Sequence, residues 1–344
     1  MIPASCPPLS LNVLRTAIAA LVLAAPVVWA QRADIAVADQ SWKVSTSALQ
    51  ALQEGRVEDA ELQLRHALEN NSGDAYAHQL LCRVYAAQDR TEEAVRECET
   101  AAGVPNQSNR SSSENQLWLG RVYGDKARHA GPIAGFKLAR RVQAAFARAV
   151  ELDPSNVAAL NDLGEYYVEA PFVVGGGTDK ARQLASSMLA RFPAQAHLLL
   201  ARIAAEDRDY PTAEAEFKQV ITLQKSTQAW VDLAAFYQAR GRRDEAVNVL
   251  KSAIAADRTH GPAIVDAASL LISMHREPEL AERCLRLYLA SSSKTDEAPA
   301  FKVHVELSRL LAARGSTGEA GQQMAAAAAL APVFARSAQH WQGL

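Results

Sequence analysis

Small and apolar residues recur along this chain with a period of about 34 residues, and that period limits what the chain can fold into. The clearest unit runs from Thr227 to His260, with Trp230, Leu233, Ala234, Tyr237, Gly241, Ala246, Leu250 and Ala253 at positions 4, 7, 8, 11, 15, 20, 24 and 27. Leu233 and Tyr237 share one helical face; Ala246, Leu250 and Ala253 share another, and Gly241 separates the two sets. The spacing predicts two antiparallel helices joined by a tight turn. Ala234 and Ala246 are small where those helices must approach most closely, and larger side chains there would overpack the pair. One such pair cannot bury its own apolar face, so neighbouring units must stack on it.

The same register extends in both directions. His78, Leu81, Cys82, Tyr85, Asp89, Ala94, Cys98 and Ala101 form a regular unit, preceded by one carried by Gly55, Ala60, Leu64 and Ala67. Leu119, Gly120 and Tyr123 open another that Phe146, Ala149 and Pro154 close, with extra residues near 124–135. Leu160, Leu163, Gly164 and Tyr167 are completed by Ala181, Ala185, Met188 and Pro193, with an insertion at 171–177. His197, Leu200, Ala201, Ala204, Ala213, Phe217 and Val220 fit the pattern, Val265 to Tyr288 fit it poorly, and His304, Leu307, Ser308, Leu311, Gly315, Ala320, Met324, Ala327 and Pro332 fit it well.

These segments resemble tetratricopeptide repeats of an exported bacterial type. The resemblance covers about eight units over residues 41–334. It implies an all-α, right-handed superhelical solenoid of tandem antiparallel helix pairs, elongated or horseshoe-shaped. Composition agrees, because 49% of residues are hydrophobic but only 6% aromatic, and alanine fills many helix contacts. Residues 31–40 read as a flexible lead-in and 335–344 as a tail. Pro105–Asn115 and Ser291–Pro299 read as exposed loops, since both are polar and offer little apolar surface. In the 171–177 insertion, Pro171 stops one helix and Thr178 is expected to cap the next, with Asp179 in its first turn. The glycines there lack the spacing of a nucleotide-binding loop.

Arg15 precedes an uncharged run from Thr16 to Ala30, and Val28-Trp29-Ala30 presents small residues before a cut ahead of Gln31. Residues 1–30 therefore read as a signal peptide, with a periplasmic or secreted destination and no stable membrane insertion after cleavage. An uncleaved anchor is the competing reading, weakened because the run is shorter than the roughly 20 residues a spanning helix needs. Removing the segment leaves Cys82, Cys98 and Cys284. Cys82 and Cys98 lie on facing helices of one unit, so they either pair as a disulfide or remain small buried residues.

Function classes narrow by chemistry. The chain has 36 basic and 38 acidic residues, which gives no general attraction to nucleic acid. Its eight histidines form no HExxH motif or close ligand pair, and no GxSxG elbow presents a serine, so no catalytic, metal or cofactor residue is assigned. The expectation is a noncatalytic scaffold or adaptor that binds a protein or peptide of unknown identity. An accessory or peptide-processing factor, or a self-associating structural protein, is the alternative.

The resemblance also places the binding surface, since positions 2, 5, 9 and 12 of each first helix line the concave side in that family. By register these are Tyr76, Gln79 and Arg83; Glu114 and Arg121; Asn161 and Glu165; Arg202; Gln228, Val231 and Gln238; and Lys302, Val305 and Arg309. Arg83, Arg121, Arg202 and Arg309 form a row at position 9, interrupted by Glu165. Such a row would hold carboxylates or carbonyls of an extended peptide through charge-assisted bonds.

Overall fold

The computed structural model describes residues 44–338, and every regular element among them is helical. The expected signal segment lies outside the described residues. Helix α1 runs through 44–53, followed by α2 (Val57–Asn70), α3 (Ala75–Ala87), α4 (Thr91–Gly103), α5 (Asn109–Arg128), α6 (Pro132–Leu152), α7 (Val157–Glu169) and α8 (Thr178–Met188). Then come α9 (Pro193–Glu206), α10 (Tyr210–Gln224), α11 (Thr227–Ala239), α12 (Arg243–Ala256), α13 (Pro262–Ser273), α14 (Pro278–Ala290), α15 (Ala300–Ala313), α16 (Thr317–Leu330) and α17 (Pro332–Ala338). Each odd-numbered helix from α3 through α15 packs on its successor, and α1 shares a buried core with α2, so the described residues form eight pairs.

Close approach explains the small residues at position 8. A Cβ added to Gly120 would lie 2.4 Å from the Phe146 ring, and one on Gly164 would lie 2.9 Å from Leu199. Ala201 and Ala234 occupy the same position and are fully buried. Position 4 has its own device: His78, His197 and His304 each reach 19 residues ahead to the second helix of the pair, meeting Glu97, Glu216 and Gln323. Trp230, at position 4 of the best-matching unit, is only half-buried and lies outside the fully buried core around Leu233 and Leu250.

Several local expectations are corrected. Helix α5 starts at Asn109 under a cap from the Ser108 hydroxyl, so most of Pro105–Asn115 is helix and not exposed loop. Ser113 and Asn115 are buried because both find carbonyl partners: Ser113 donates to Ala149 at 2.8 Å and Asn115 to Ala101 at 3.2 Å. The residues added near 124–135 lengthen α5 and α6 to 20 and 21 residues, leaving only a short turn between them. Thr178 makes no cap; it is the first residue of α8, and Gly177 precedes it with φ +128°.

The ends of the array meet. Gly55, in the α1–α2 turn with φ +83°, abuts the start of α15, where an added Cβ would be 3.1 Å from Ala300. Phe301, Ala327 and Ala331 join the buried cluster that contains Leu52, Leu64 and Leu80. The Glu58 carboxylate accepts from the Val333 backbone N–H at 3.1 Å, and Lys302 pairs with Asp89 at 2.6 Å. The last repeat thus closes onto the first two, and the body is a closed ring of repeats. Of the expected elongated or horseshoe shapes, the elongated one is excluded and the horseshoe is drawn shut, because apolar surface at both ends is buried by their contact.

Candidate partner-binding surface

Closure changes the concave face predicted from the register. Arg83 donates to both carboxylate oxygens of Asp296 at 2.8 and 2.7 Å, and the pair is nearly shielded from water. Arg121 donates to Asp162 at 2.7 Å and lies 3.7 Å from Glu297, while Arg202 donates to Glu165 at 2.5 Å. Trp118 lies between the Arg83 and Arg121 guanidiniums, each 5.0 Å from its ring centre. Three of the four arginines in the row are therefore neutralised by this chain's own acids. Arg309 differs: it is exposed and makes no ion pair or hydrogen bond among the described residues.

The other expected surface residues divide similarly. Gln79 is buried with its Oε1 unpartnered, Glu114 accepts from Asn156 at 3.1 Å, and Tyr76 and Asn161 retain partial exposure. The Ser291–Pro299 segment is not a solvated loop. Tyr288 donates to Ala298 at 2.6 Å and accepts from the Thr295 N–H at 3.0 Å, which aims Asp296 and Glu297 across the ring.

What remains uncompensated on the inner side is acidic. Asp232, Asp266 and Glu306 come from α11, α13 and α15, the first helices of three successive repeats. None has a cation of this chain within ion-pair distance among the described residues. Asp232 accepts from Gln228 at 3.1 Å, and Glu306 accepts from Ser269 at 2.7 Å. Burial raises the Asp232 and Glu306 carboxyls above the ordinary carboxylate range despite those bonds. Asp266 is exposed to water, yet burial and then the charges of Asp232, Glu297 and Glu306 raise it too. Glu169, higher on α7, is raised by burial and by Glu165. Together these groups disfavour further negative charge and favour a cation. The signal in the sequence is an acid at position 6, where Asp162, Asp232 and Glu306 recur; Asp266 falls one place earlier, at position 5 of the weakly matching seventh unit.

A tetratricopeptide-repeat family model matches residues 51–110 and 204–271, and a second tetratricopeptide-repeat model matches 172–228. The chain carries tetratricopeptide repeats over residues 51–110 and 172–271. A tetratricopeptide repeat protein from Parabacteroides merdae is similar in structure at 14% identity, with 77% of this chain and 98% of that chain covered and a TM-score of 0.46. A thermophilic tetratricopeptide-repeat protein of Thermus thermophilus is similar at 19% identity, with 67% and 99% covered and a TM-score of 0.44. No curated protein matches the chain.

The tetratricopeptide fold is a noncatalytic scaffold architecture, and among the described residues no group of three His, Cys, Asp or Glu side chains could hold a metal ion. Among the same residues, no helix is long and apolar enough to cross a membrane. Cys82 and Cys98 are bonded across α3 and α4 with Cα atoms 5.3 Å apart, and Cys284 is a buried free thiol. The bridge lies in the second repeat, directly behind Arg83. It fixes the helix pair that presents that arginine to Asp296. In the 171–177 insertion, Phe172 and Val173 project into solvent while Val174 anchors the segment, its carbonyl accepting from Tyr166 at 2.8 Å.

Proposed function

We propose that this protein is a noncatalytic, exported scaffold that binds a basic segment of a protein partner within the concave face of its repeat ring. The carrying observation is the trio Asp232, Asp266 and Glu306: three carboxylates on adjacent repeats, partly desolvated, with Asp266 repelled by the other two and none in an ion pair among the described residues. Lys or Arg side chains arriving from a partner would relieve that repulsion and gain charge-assisted hydrogen bonds. Of the paired arginines, Arg83 ties the two ends of the array together through Asp296, and Arg121 and Arg202 tie adjacent repeats. Export rests on the Thr16–Ala30 run and its small-residue cleavage pattern.

Binding of labelled Lys/Arg-rich, neutral and Asp/Glu-rich peptides to the purified protein tests this reading. Basic peptides should bind best, with affinity falling as salt rises, and Asp232→Asn with Asp266→Asn should weaken them about tenfold while helicity is unchanged. A preference for acidic peptides, or indifference to the double substitution, would reject the acidic face as the binding surface. Cell fractionation with N-terminal sequencing tests export: a soluble product starting near Gln31 is expected, and an intact N-terminus in the membrane fraction contradicts it.

A further inference from the structure

Large apolar side chains stand in water along one edge of the third and fourth repeats. Ile133 is 79% exposed, Phe136 43%, Phe172 81% and Val173 68%, whereas the remaining large apolar residues at the described surface come one at a time from different helices. Two insertions put them there. Phe146 holds in α6 the place of Leu250 in α12, yet α6 begins at Pro132, twice as far before Phe146 as Arg243 lies before Leu250. The two extra turns carry Ile133 and Phe136 about 10 Å beyond the regular end of a helix pair. The 171–177 insertion follows on the same edge. The Tyr166 hydroxyl lies 2.8 Å from both the Ala139 and the Val174 carbonyl, and a Cβ on Gly175 would stand 3.3 Å from Gln143. The Phe172–Val174 turn is thus held against α6, one to two turns past Phe136.

The edge is also basic. From Lys126 to Val150 the sequence holds Lys126, Arg128, Lys137, Arg140, Arg141 and Arg148 and no acid. Neighbouring acids neutralise four of them: Glu92 pairs with Lys126, Asp125 with Arg128, Glu99 with Arg141 and Glu151 with Arg148. Lys137 and Arg140 follow Phe136 on the outer stripe of α6, are exposed, and make no ion pair or hydrogen bond among the described residues. His129, exposed at the tip, lies 3.1 Å from the Asp125 carbonyl. In the second insertion Asp179 pairs with Arg182, and Lys180 donates to the Gly175 carbonyl at 2.8 Å without meeting an acid. Glu169 has no ion pair among the described residues, but the charges acting on it are those of Glu165, Arg202 and Glu206, on the α9 side. Lys137, Arg140 and Lys180 are therefore left against that one acid.

We propose that this edge is a docking surface for an anionic phospholipid bilayer. Ile133, Phe136, Phe172 and Val173 enter the headgroup layer, and Lys137, Arg140 and Lys180 meet the lipid phosphates. Shape and charge together select this occupant. The apolar residues sit on two projecting tips and not in a groove; a fluid bilayer surface takes such tips without a preformed cavity, whereas a protein partner needs matching hollows. A second copy of this chain would bring like charges face to face. Nucleic acid offers phosphates but no apolar layer for the tips. Docking of this kind is peripheral, since no helix among the described residues is long and apolar enough to cross a membrane. It uses the third and fourth repeats and none of Asp232, Asp266 or Glu306, so it is independent of the concave-face reading.

Co-sedimentation with vesicles tests this, using the chain from Gln31, which keeps every described residue and omits the apolar Thr16–Ala30 run whose own affinity for lipid would mask the edge. One vesicle type is phosphatidylcholine alone, and the other is phosphatidylcholine and phosphatidylglycerol in equal parts. Binding to the mixed vesicles should be stronger by about tenfold or more, and the difference should shrink as salt rises. Lys137→Gln with Arg140→Gln should cut mixed-vesicle binding about tenfold. Ile133→Ser with Phe172→Ser should cut it by about as much. All four side chains are exposed, so both double variants should keep their helicity. Equal binding to the two vesicle types, no effect of either double variant, or binding to neither vesicle would each overturn the proposal, the last in favour of a protein partner. A dimer in vesicle-free solution that Ile133→Ser with Phe172→Ser converts to monomer would overturn it in favour of a second copy.

Discussion

Arg83 and Asp296 are 213 residues apart in sequence and share a two-point ion pair at 2.7 and 2.8 Å. The pair ties the second repeat to the loop before the eighth, and Trp118 covers the arginine's face. Asp296→Ala would leave a shielded guanidinium without its partner, at a cost of about 3 to 5 kcal/mol. Urea unfolding should show that loss, and small-angle scattering should show a larger radius of gyration as the seam loosens. Unchanged stability and radius would mean that the apolar contacts of Phe301 and Ala331 close the ring alone.

Charge on the concave face should oppose stability. A carboxyl whose folded pKa is raised binds its proton at higher pH in the folded chain than in the unfolded one. The stability it permits is therefore present at low pH and declines as pH rises from the ordinary carboxylate range through the raised value. Asp232, Asp266 and Glu306 all have this sign. Asp232→Asn with Asp266→Asn should therefore stabilise the protein at pH 7 by about 0.5 kcal/mol or more, while weakening basic peptides. Thermal unfolding between pH 4 and 8 checks it; a destabilised double variant would contradict the electrostatic account.

Equivalent histidines should titrate in opposite directions. The Glu97 carboxylate raises His78, so its contribution to stability is complete below the unfolded pKa and is lost as pH rises through the folded value. His304 meets the neutral Gln323, and burial lowers it, so its contribution is lost as pH falls. NMR titration of the two imidazoles should place His78 above and His304 below the ordinary value of about 6.5. Glu97→Gln should move His78 downward.

Two glycines of α5 should respond oppositely to alanine. Gly120→Ala drives a methyl into the Phe146 ring and should destabilise by about 1 to 3 kcal/mol. A Cβ at Gly124 meets nothing within 4 Å, so Gly124→Ala should stabilise by roughly 0.5 to 1 kcal/mol through helix propensity alone. Combining Gly120→Ala with Phe146→Leu should recover part of the loss. Chemical unfolding of the three variants measures it.

Thiol chemistry should report the second repeat. Alkylation under denaturing conditions without reductant should modify Cys284 and leave Cys82 and Cys98 blocked. The bridge closes a sequence separation of 16 residues, and a loop of that size stabilises by about 3 kcal/mol. Reduction should lower the unfolding midpoint accordingly, and a midpoint indifferent to reductant would show that the bridge adds no constraint.

The helix pairs were legible in the sequence because their determinants are local. Leu233, Tyr237, Ala246 and Leu250 fall at spacings that put them on facing stripes, and small residues such as Gly120 and Ala234 mark where the helices touch. Local charge and polarity misled where a distant partner decided the outcome. Ser113 and Asn115 looked like loop residues but are buried by carbonyls at Ala149 and Ala101. The arginines of the row were visible in the sequence, yet the chemistry of Arg83, Arg121 and Arg202 depended on acids 37 to 213 residues away. A period of repeats fixes each unit's relation to its neighbour, but small rotations accumulate from unit to unit, and no local spacing encodes their sum. Tertiary structure alone therefore decided that the ends meet. That meeting pairs Arg83 with Asp296, while Asp232, Asp266 and Glu306 are left without an ion-pair partner among the described residues.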